Sequence, residues 1–207
     1  MSSHLTIASV TAVLKNLLEN GLVARGISSS IGGDAIITAV SPDRIAVGND
    51  EKPQLNVFLY QVTPSTGLRS NLDKEKTPGL SLELHYLFTA YGAQDFQSEI
   101  LLGYALQMLF EHPVLSSELM KKALTNISSS KGGRVVQPSL AALANSDLAE
   151  SVAQVTLAPQ FLNAEETSKL WSSLQARYRP SLTYKLSTVP VRTGAAAIAP
   201  SKGKERA

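Results

Sequence analysis

Three histidines, His4, His85 and His112, are the residues of this chain best suited to acid–base or metal chemistry. No two of them stand at the spacing that places a metal pair on one helix face. His85, in "LSLELHYLF", follows Glu83 by two residues, so a strand would put both on the same face. The pair could act as a base, but a reactive site needs several converging groups, and a hydrogen-bonded or solvent-facing strand histidine is the favoured reading. Glu165 and Glu166 adjoin at the start of a helical pattern, where they complement the helix dipole rather than form an acid–base pair. "SSKGGR" and "SIGGD" contain glycines without the spacing of a phosphate-cradling or dinucleotide loop. No G-x-S-x-G supplies a nucleophile elbow. The absence of cysteine removes disulfides and thiolate metal sites. No catalytic, cofactor-binding or metal-binding residue is assigned, and the expectation is a protein that is not an enzyme and carries no cofactor.

One further cluster could bind rather than react. "RYRPS" joins a helical pattern to a strand pattern, with Arg177, Tyr178 and Arg179 ahead of Pro180. The arginines could hold an anion. As helix-end cations near carbonyl dipoles, they could equally just fix a corner, and that reading is favoured.

The elements that would position these residues read as a single α/β (α+β) domain. Ile7, Val10, Leu14, Leu17 and Leu18 make one stripe of a helix from Leu5 to Asn20, stopped by Gly21. "GISSSIGGD" reads as loop and "AIITAV", Ala35–Val40, as a short strand. "LNVFLYQV", Leu55–Val62, is apolar on both faces, which predicts a central strand. A long polar loop, "TPSTGLRSNLDKEKTPG", suits binding or movement. In "LSLELHYLFTAYG", Leu80–Gly92, Leu82, Leu84, Tyr86 and Phe88 alternate with Ser81, Glu83 and His85, predicting a half-buried strand of a mixed, largely antiparallel sheet.

Asp95 is placed to cap a helix over Phe96–Glu111. Between Ile100 and Phe110 that helix has no charge and almost no polar face, so it should be buried or covered by a neighbouring subunit. "SSELMKKALTNI" predicts a helix capped by Ser116 or Ser117, and "SVAQVTLAP" a strand. Asn163 and Glu166 form a capping-box pattern for a helix over Ala164–Ala176, with Thr167, Leu170, Trp171 and Leu174 inward. "SLTYKLSTV" is an amphipathic strand entered through Pro180, where a missing N–H is tolerated. Residues 1–191 make the domain. Residues 192–207, small-residue-rich and then basic, make a flexible arm.

Composition excludes several classes. The 207 residues, 43% hydrophobic, suffice for one core without staples. Net charge is +2, from 19 basic and 17 acidic residues, and the only local excess is Lys202, Lys204 and Arg206, so no nucleic-acid stripe is present. No charged n-region marks a secretory signal. The longest apolar stretch, "ILLGYALQMLF", is too short to span a bilayer, so no membrane insertion is expected. Cytoplasmic assembly follows, with release only as part of something larger.

Five stretches carry a resemblance. "IASVTAVLKNLLENGL", "LNVFLYQVTPSTGLRS", "LSLELHYLFTAYG", "ILLGYALQMLFEHPVL" and "LWSSLQARYRPSLTYKLSTVPV" run in order from Ile7 to Val191. Together they resemble the N-terminal domain family of the cap, or tube terminator, of extracellular phage-tail-like contractile injection systems. The helix–"YRPSLTY"–strand block is the most specific of them. The resemblance implies a compact fold of the phage tail-terminator type. It also implies a ring, as a hexamer, at the tube end distal to the baseplate, closing the lumen and tying the last sheath ring to the tube. The implied partners are further copies of the chain, the inner tube protein and the terminal sheath ring.

Some relatives carry an additional C-terminal domain, which the tail after Pro190 does not resemble. Arg177, Tyr178, Arg179, Arg192, Lys202, Lys204 and Arg206 become candidate protein-binding residues. The arm is expected to add a strand to the unpaired sheath edge. A small α/β ligand-binding or enzymatic domain, or a phage head–tail completion protein, is the alternative.

Overall fold

The computed structural model describes residues 3–48, 51–65, 79–129, 142, 143, 148, 152 and 154–192. Helices α1 (Thr6–Ala24), α2 (Ile27–Ser30), α3 (Gln97–Glu111), α4 (Ser117–Ser129) and α5 (Ala164–Ser173) accompany strands β1 (Ile36–Thr38), β2 (Gln54–Pro64), β3 (Gly79–Tyr91), β4 (Val114–Ser116), β5 (Gln154–Gln160) and β6 (Ser181–Arg192). The strands form one mixed sheet in the order β1-β2-β3-β6-β5-β4. Only β1 runs parallel to its neighbour; the other pairs are antiparallel. The α/β class and the mixed, largely antiparallel sheet expected from the patterning are both present.

The core lies between one face of the sheet and helices α1, α3 and α4. Val10, Val13, Leu14 and Leu18 of α1 join Leu84, Tyr86, Phe88 and Ala90 of β3, Leu101, Ala105 and Leu109 of α3, and Met120 and Leu124 of α4. Alternation along β3 sends Leu82, Leu84, Tyr86 and Phe88 into this layer, as the pattern predicts. Its other side is less exposed than expected. From Leu84 to Tyr91 every residue is buried, including Leu87, Thr89 and Tyr91 on the opposite face. The strand is half-buried only where it begins.

Two further expectations are corrected. α1 does not stop at Gly21 but continues to Ala24. Gly21 is there because α3 crosses it: a Cβ at this position would meet Met108 Cε and Tyr104 Oη, each at 2.6 Å. Tyr104 donates its hydroxyl to the Leu18 carbonyl, so the ring has little room to yield. α3 starts without an Asp95 cap. Phe96 occupies the N-cap position at φ 68°, and Gln97 organises the turn instead. The Gln97 Oε1 accepts from Gln94 N–H at 3.1 Å and its Nε2 donates to the Ile31 carbonyl at 2.9 Å.

The uncharged stretch of α3, expected to be buried or covered by a neighbouring subunit, is buried on one face. Leu101, Ala105, Met108 and Leu109 are buried, but Leu106 and Phe110 face outward, Phe110 81% exposed. β6 runs past the expected "SLTYKLSTV" stretch to Arg192, pairing Pro190 with Ser81 and Arg192 with Gly79. β5 pairs β6 only as far as Ser187, so Pro190 sits where β6 has β3 alone as a neighbour among the described residues, and its missing N–H breaks no known ladder.

Elsewhere most local signals hold, although α5 ends at Ser173 rather than Ala176 and, of Thr167, Leu170, Trp171 and Leu174, fully buries Trp171 alone. The Ser116 hydroxyl accepts from Leu119 N–H at 3.3 Å at the start of α4. Asn163 and Glu166 close the capping box of α5. β4 and α2 had no sequence signal. The "SSKGGR" loop from Ser130 onward and the arm from residue 193 lie outside the described residues.

Two glycines on helices of the same layer should respond oppositely to alanine. Gly21→Ala gains helix propensity but drives a methyl into Tyr104 and Met108, and should cost about 1–3 kcal/mol. Gly103, midway along α3, has nothing within 4 Å of a Cβ; Gly103→Ala should stabilise by up to about 1 kcal/mol. Urea denaturation of both variants reads the sign.

Candidate functional site

The corner between α5 and β6 is built by three contacts. α5 has a single buried residue, Trp171. The chain leaves the helix through Gln175 at φ 51°, a left-handed turn that reverses its direction. Tyr178 then folds back edge-on to Trp171, with ring centroids 5.7 Å apart. Arg179 reaches across to Glu51, with 2.6 Å between Nη2 and Oε2. Its guanidinium also lies 5.5 Å from the centroid of the Tyr91 ring. Glu51 is the hub. Its side chain is 4% exposed, and it also accepts from Gly92 N–H at 2.8 Å and Gly48 N–H at 3.3 Å. One carboxylate thus ties the loop before β2, the end of β3 and the entry to β6. Burial raises the Tyr91 phenol above its ordinary pKa, partly offset by the Thr89 hydroxyl and by Arg179.

The two arginines of "RYRPS" therefore differ. Arg179 is engaged within the fold, whereas Arg177 is exposed and Tyr178 is 63% exposed. Arg192 closes β6 at the other end of the strand, about 36 Å away at the usual rise per residue. Lys202, Lys204 and Arg206 lie outside the described residues. The structure brings Arg177, Tyr178 and Arg179 together at one corner and does not bring Arg192 to them. Glu51 was missed from the sequence. "GNDEKPQ" reads as polar loop, and nothing in it marks one carboxylate as buried.

A second polar cluster surrounds His85. Its Nε2 lies 3.0 Å from the Thr63 hydroxyl and its Nδ1 2.8 Å from Gln160 Oε1. Both ring nitrogens are thus occupied within the protein, and the ring is buried beside Tyr60, 6.0 Å between centroids. Glu83 is paired with Lys185 at 3.2 Å rather than with His85. The arrangement joins β2, β3, β5 and β6 through side chains, as a structural histidine would. His112 bonds the Met108 carbonyl at 2.9 Å, closing α3, and His4 is exposed. No group of three or more His, Cys, Asp or Glu able to hold a metal occurs among the described residues. No described helix is long and apolar enough to cross a membrane.

Beside the corner runs an open groove of about 600 Å³, lined by Leu162, Ala164, Thr167, Ser168, Trp171 and Tyr178, among others. Trp171 is 3% exposed, and its indole N–H has no hydrogen-bond partner among the described residues. Phe161, next to Leu162, is 90% exposed.

The sequence profile of the Pvc16 N-terminal domain matches residues 9–201. The chain belongs to the Pvc16 N-terminal domain family. No curated protein matches it. Two solved structures are similar to this chain. One is the sheath/tube terminator, in its extended state, of PVC, an extracellular contractile injection system. It is 16% identical at a TM-score of 0.49, with 89% of this chain and 62% of that one covered. The other is the tube-terminating cap of the anti-feeding prophage, 16% identical at a TM-score of 0.49, with 91% of this chain and 58% of that one covered. The matches thus span about three-fifths of the length of both proteins.

The corner can be dissected residue by residue. Arg179→Met strands a buried carboxylate and should cost on the order of 3 kcal/mol. Arg177→Met, two residues earlier and exposed, should change stability by no more than about 0.5 kcal/mol. Trp171→Ala should cost about 3–5 kcal/mol. Chemical denaturation of the three variants checks the ranking.

Proposed function

We propose that this chain is the capping module that terminates the tube and sheath of a phage-tail-like contractile injection system. It forms a six-membered ring at the tube end distal to the baseplate. The family match over residues 9–201 carries this reading. In it the chain assembles in the cytoplasm with further copies of itself, the inner tube protein and the terminal sheath ring. It then leaves the cell, or stays in it, as part of the particle. Its chemistry is contact rather than turnover.

A cyclic ring requires one patch to meet a different patch on the next copy. The domain offers separate exposed apolar positions for this: Leu106 and Phe110 on α3, Val23 near the end of α1, and Phe161 with Tyr178 at the α5 corner. Arg177 and Tyr178 are the proposed partner-facing residues of the corner, and Arg179 positions them.

Imaging of whole particles tests the reading. Particles carrying the chain should show a six-fold ring on the end away from the baseplate. Particles made without it should have open tubes of irregular length. A chain absent from that end, or present there as a monomer or trimer, would overturn the proposal.

A further inference from the structure

α3 carries an outer stripe opposite the face it buries. Phe96 at its N-cap, Gly103 at its middle and Phe110 near its end are spaced by seven residues, two helical turns, and so lie along one line. Glu99 and Ile100 flank that line between Phe96 and Gly103, and Leu106 and Gln107 flank it between Gly103 and Phe110. Phe96, Leu106 and Phe110 are exposed, and no charge occurs from Ile100 to Phe110.

Gly103 is the one residue of the stripe that the subunit itself does not account for. Gly21 is required by Tyr104 and Met108, but a Cβ at Gly103 would have nothing within 4 Å. Glycine in a helix interior costs up to about 1 kcal/mol relative to alanine. That cost has a physical use where a second backbone comes close.

We infer that this stripe receives the same stripe of a second copy of the chain, the two α3 helices packing antiparallel about a two-fold axis at Gly103. Two arguments choose this occupant. The first is that the stripe is its own complement. The axis faces each residue with the one equally far from Gly103 in the other direction. Phe96 then meets Phe110 of the second copy, Ile100 meets its Leu106, and Gly103 meets its Gly103. The aromatic contacts stand about 10 Å to either side of the axis. The one missing side chain is at the centre, where the two helices approach most closely.

The second argument is polar complementarity. The same axis brings Glu99 to Gln107 of the second copy. Glu99 accepts from the Ser98 hydroxyl at 2.8 Å and has acceptor sites left, and Gln107 gives one amide N–H to Glu111 at 3.0 Å and keeps another. Asp95 comes to the Arg25–Glu111 pair of the second copy, where the guanidinium has donors beyond the one that holds Glu111. The contact is confined to one helix of fifteen residues, so the dimer is weak and reversible. The inference goes beyond the capping reading and concerns the free chain. Leu106 and Phe110 cannot serve the dimer and a ring contact together, so the dimer opens as the ring forms.

Sedimentation equilibrium of the full-length chain should show monomer and dimer exchanging with concentration. Phe110→Glu, at an exposed position, should weaken the association at least about tenfold. Gly103→Leu, which has room within its own subunit, should weaken it too. Far-UV circular dichroism of both should match the unmodified chain. The sequence has no cysteine, so single cysteines map the geometry. Gly103→Cys should give disulfide-linked dimers under mild oxidation, and a mixture of Phe96→Cys with Phe110→Cys should cross-link faster than either alone. Ser168→Cys, exposed on α5, should not cross-link.

A chain that stays monomeric at millimolar concentration overturns the inference. So does a dimer that Phe110→Glu and Gly103→Leu leave intact, or one that Ser168→Cys links as readily as Gly103→Cys. A free chain that closes into a larger ring without passing through a dimer overturns it as well. In each of those cases a six-fold ring on whole particles would still uphold the capping role.

Discussion

β3 is hydrogen-bonded on both sides, by β2 and β6, and from Leu84 onward it is covered on both faces. Every polar group on it must therefore be met by a neighbour or carry a desolvation cost of a few kcal/mol. Much of the remaining structure can be understood as meeting that demand. The Thr11 hydroxyl of α1 lies 2.8 Å from the Tyr86 hydroxyl, which fixes the helix against the sheet centre. Burial pushes the Tyr86 phenol far above its ordinary pKa and the Thr11 bond offsets this only in part, so the contact is a neutral one. Thr63 and Gln160 take the two nitrogens of His85, and Lys185 takes Glu83. The end of the strand is closed by Glu51, which accepts from Gly92 N–H while holding Arg179 over Tyr91.

The same demand explains why the corner after α5 has the form it has. β6 must enter the sheet with Ser181 opposite Thr89, because a slip of one residue would turn Leu182, Tyr184 and Leu186 away from the core. A helix linked to such a strand needs an abrupt reversal and a pinned entry. Gln175 supplies the reversal, the Trp171–Tyr178 edge contact bridges it, and Arg179 pins the far side. Asn56 does the equivalent work at the other edge of the sheet. It accepts from the Thr38 hydroxyl at 2.8 Å and Val40 N–H at 3.1 Å, and donates to the Val40 carbonyl at 2.9 Å, which secures the short parallel strand β1. Parallel neighbours cannot be joined by a tight turn, and three residues of ladder are a weak hold, so a side chain reinforces it.

Periodic signals were legible in the sequence and long-range pairings were not. The stripe of α1, the alternation of β3 and the Asn163–Glu166 box each depend on residues a few positions apart, and each is present in the fold. The errors come from partners distant in sequence. Gly21 has the local character of a helix stop, but Met108 and Tyr104, more than eighty positions later, need its missing side chain. Asp95 has the local character of a cap, but Gln97 replaces it by reaching back to Ile31. β3 was expected to show a wet face because Ser81, Glu83 and His85 are polar; Leu87 and Tyr91 further along already contradict that pattern within the same stretch. Of the corner, its place and its role as a turn were legible, whereas the difference between Arg177 and Arg179 depends on Glu51, 128 positions away from Arg179.

The described polar clusters are largely satisfied from within, and this bears on how the domain can recognise anything. His85 has no free nitrogen, Glu51 has three donors, and Glu83 and Glu111 each face a cation. Glu111 is held below its ordinary pKa chiefly by its bond from Arg25, so that pair persists at neutral pH and is lost as the pH falls through the carboxylate range. The large apolar side chains that the fold leaves exposed include Phe96, Leu106 and Phe110 at α3, Val23 on α1, and Phe161 and Tyr178 at the corner. These positions occupy different elements. A two-fold dimer repeats one patch against itself, whereas the closed ring proposed above would join unlike patches and so would draw on positions spread over different elements.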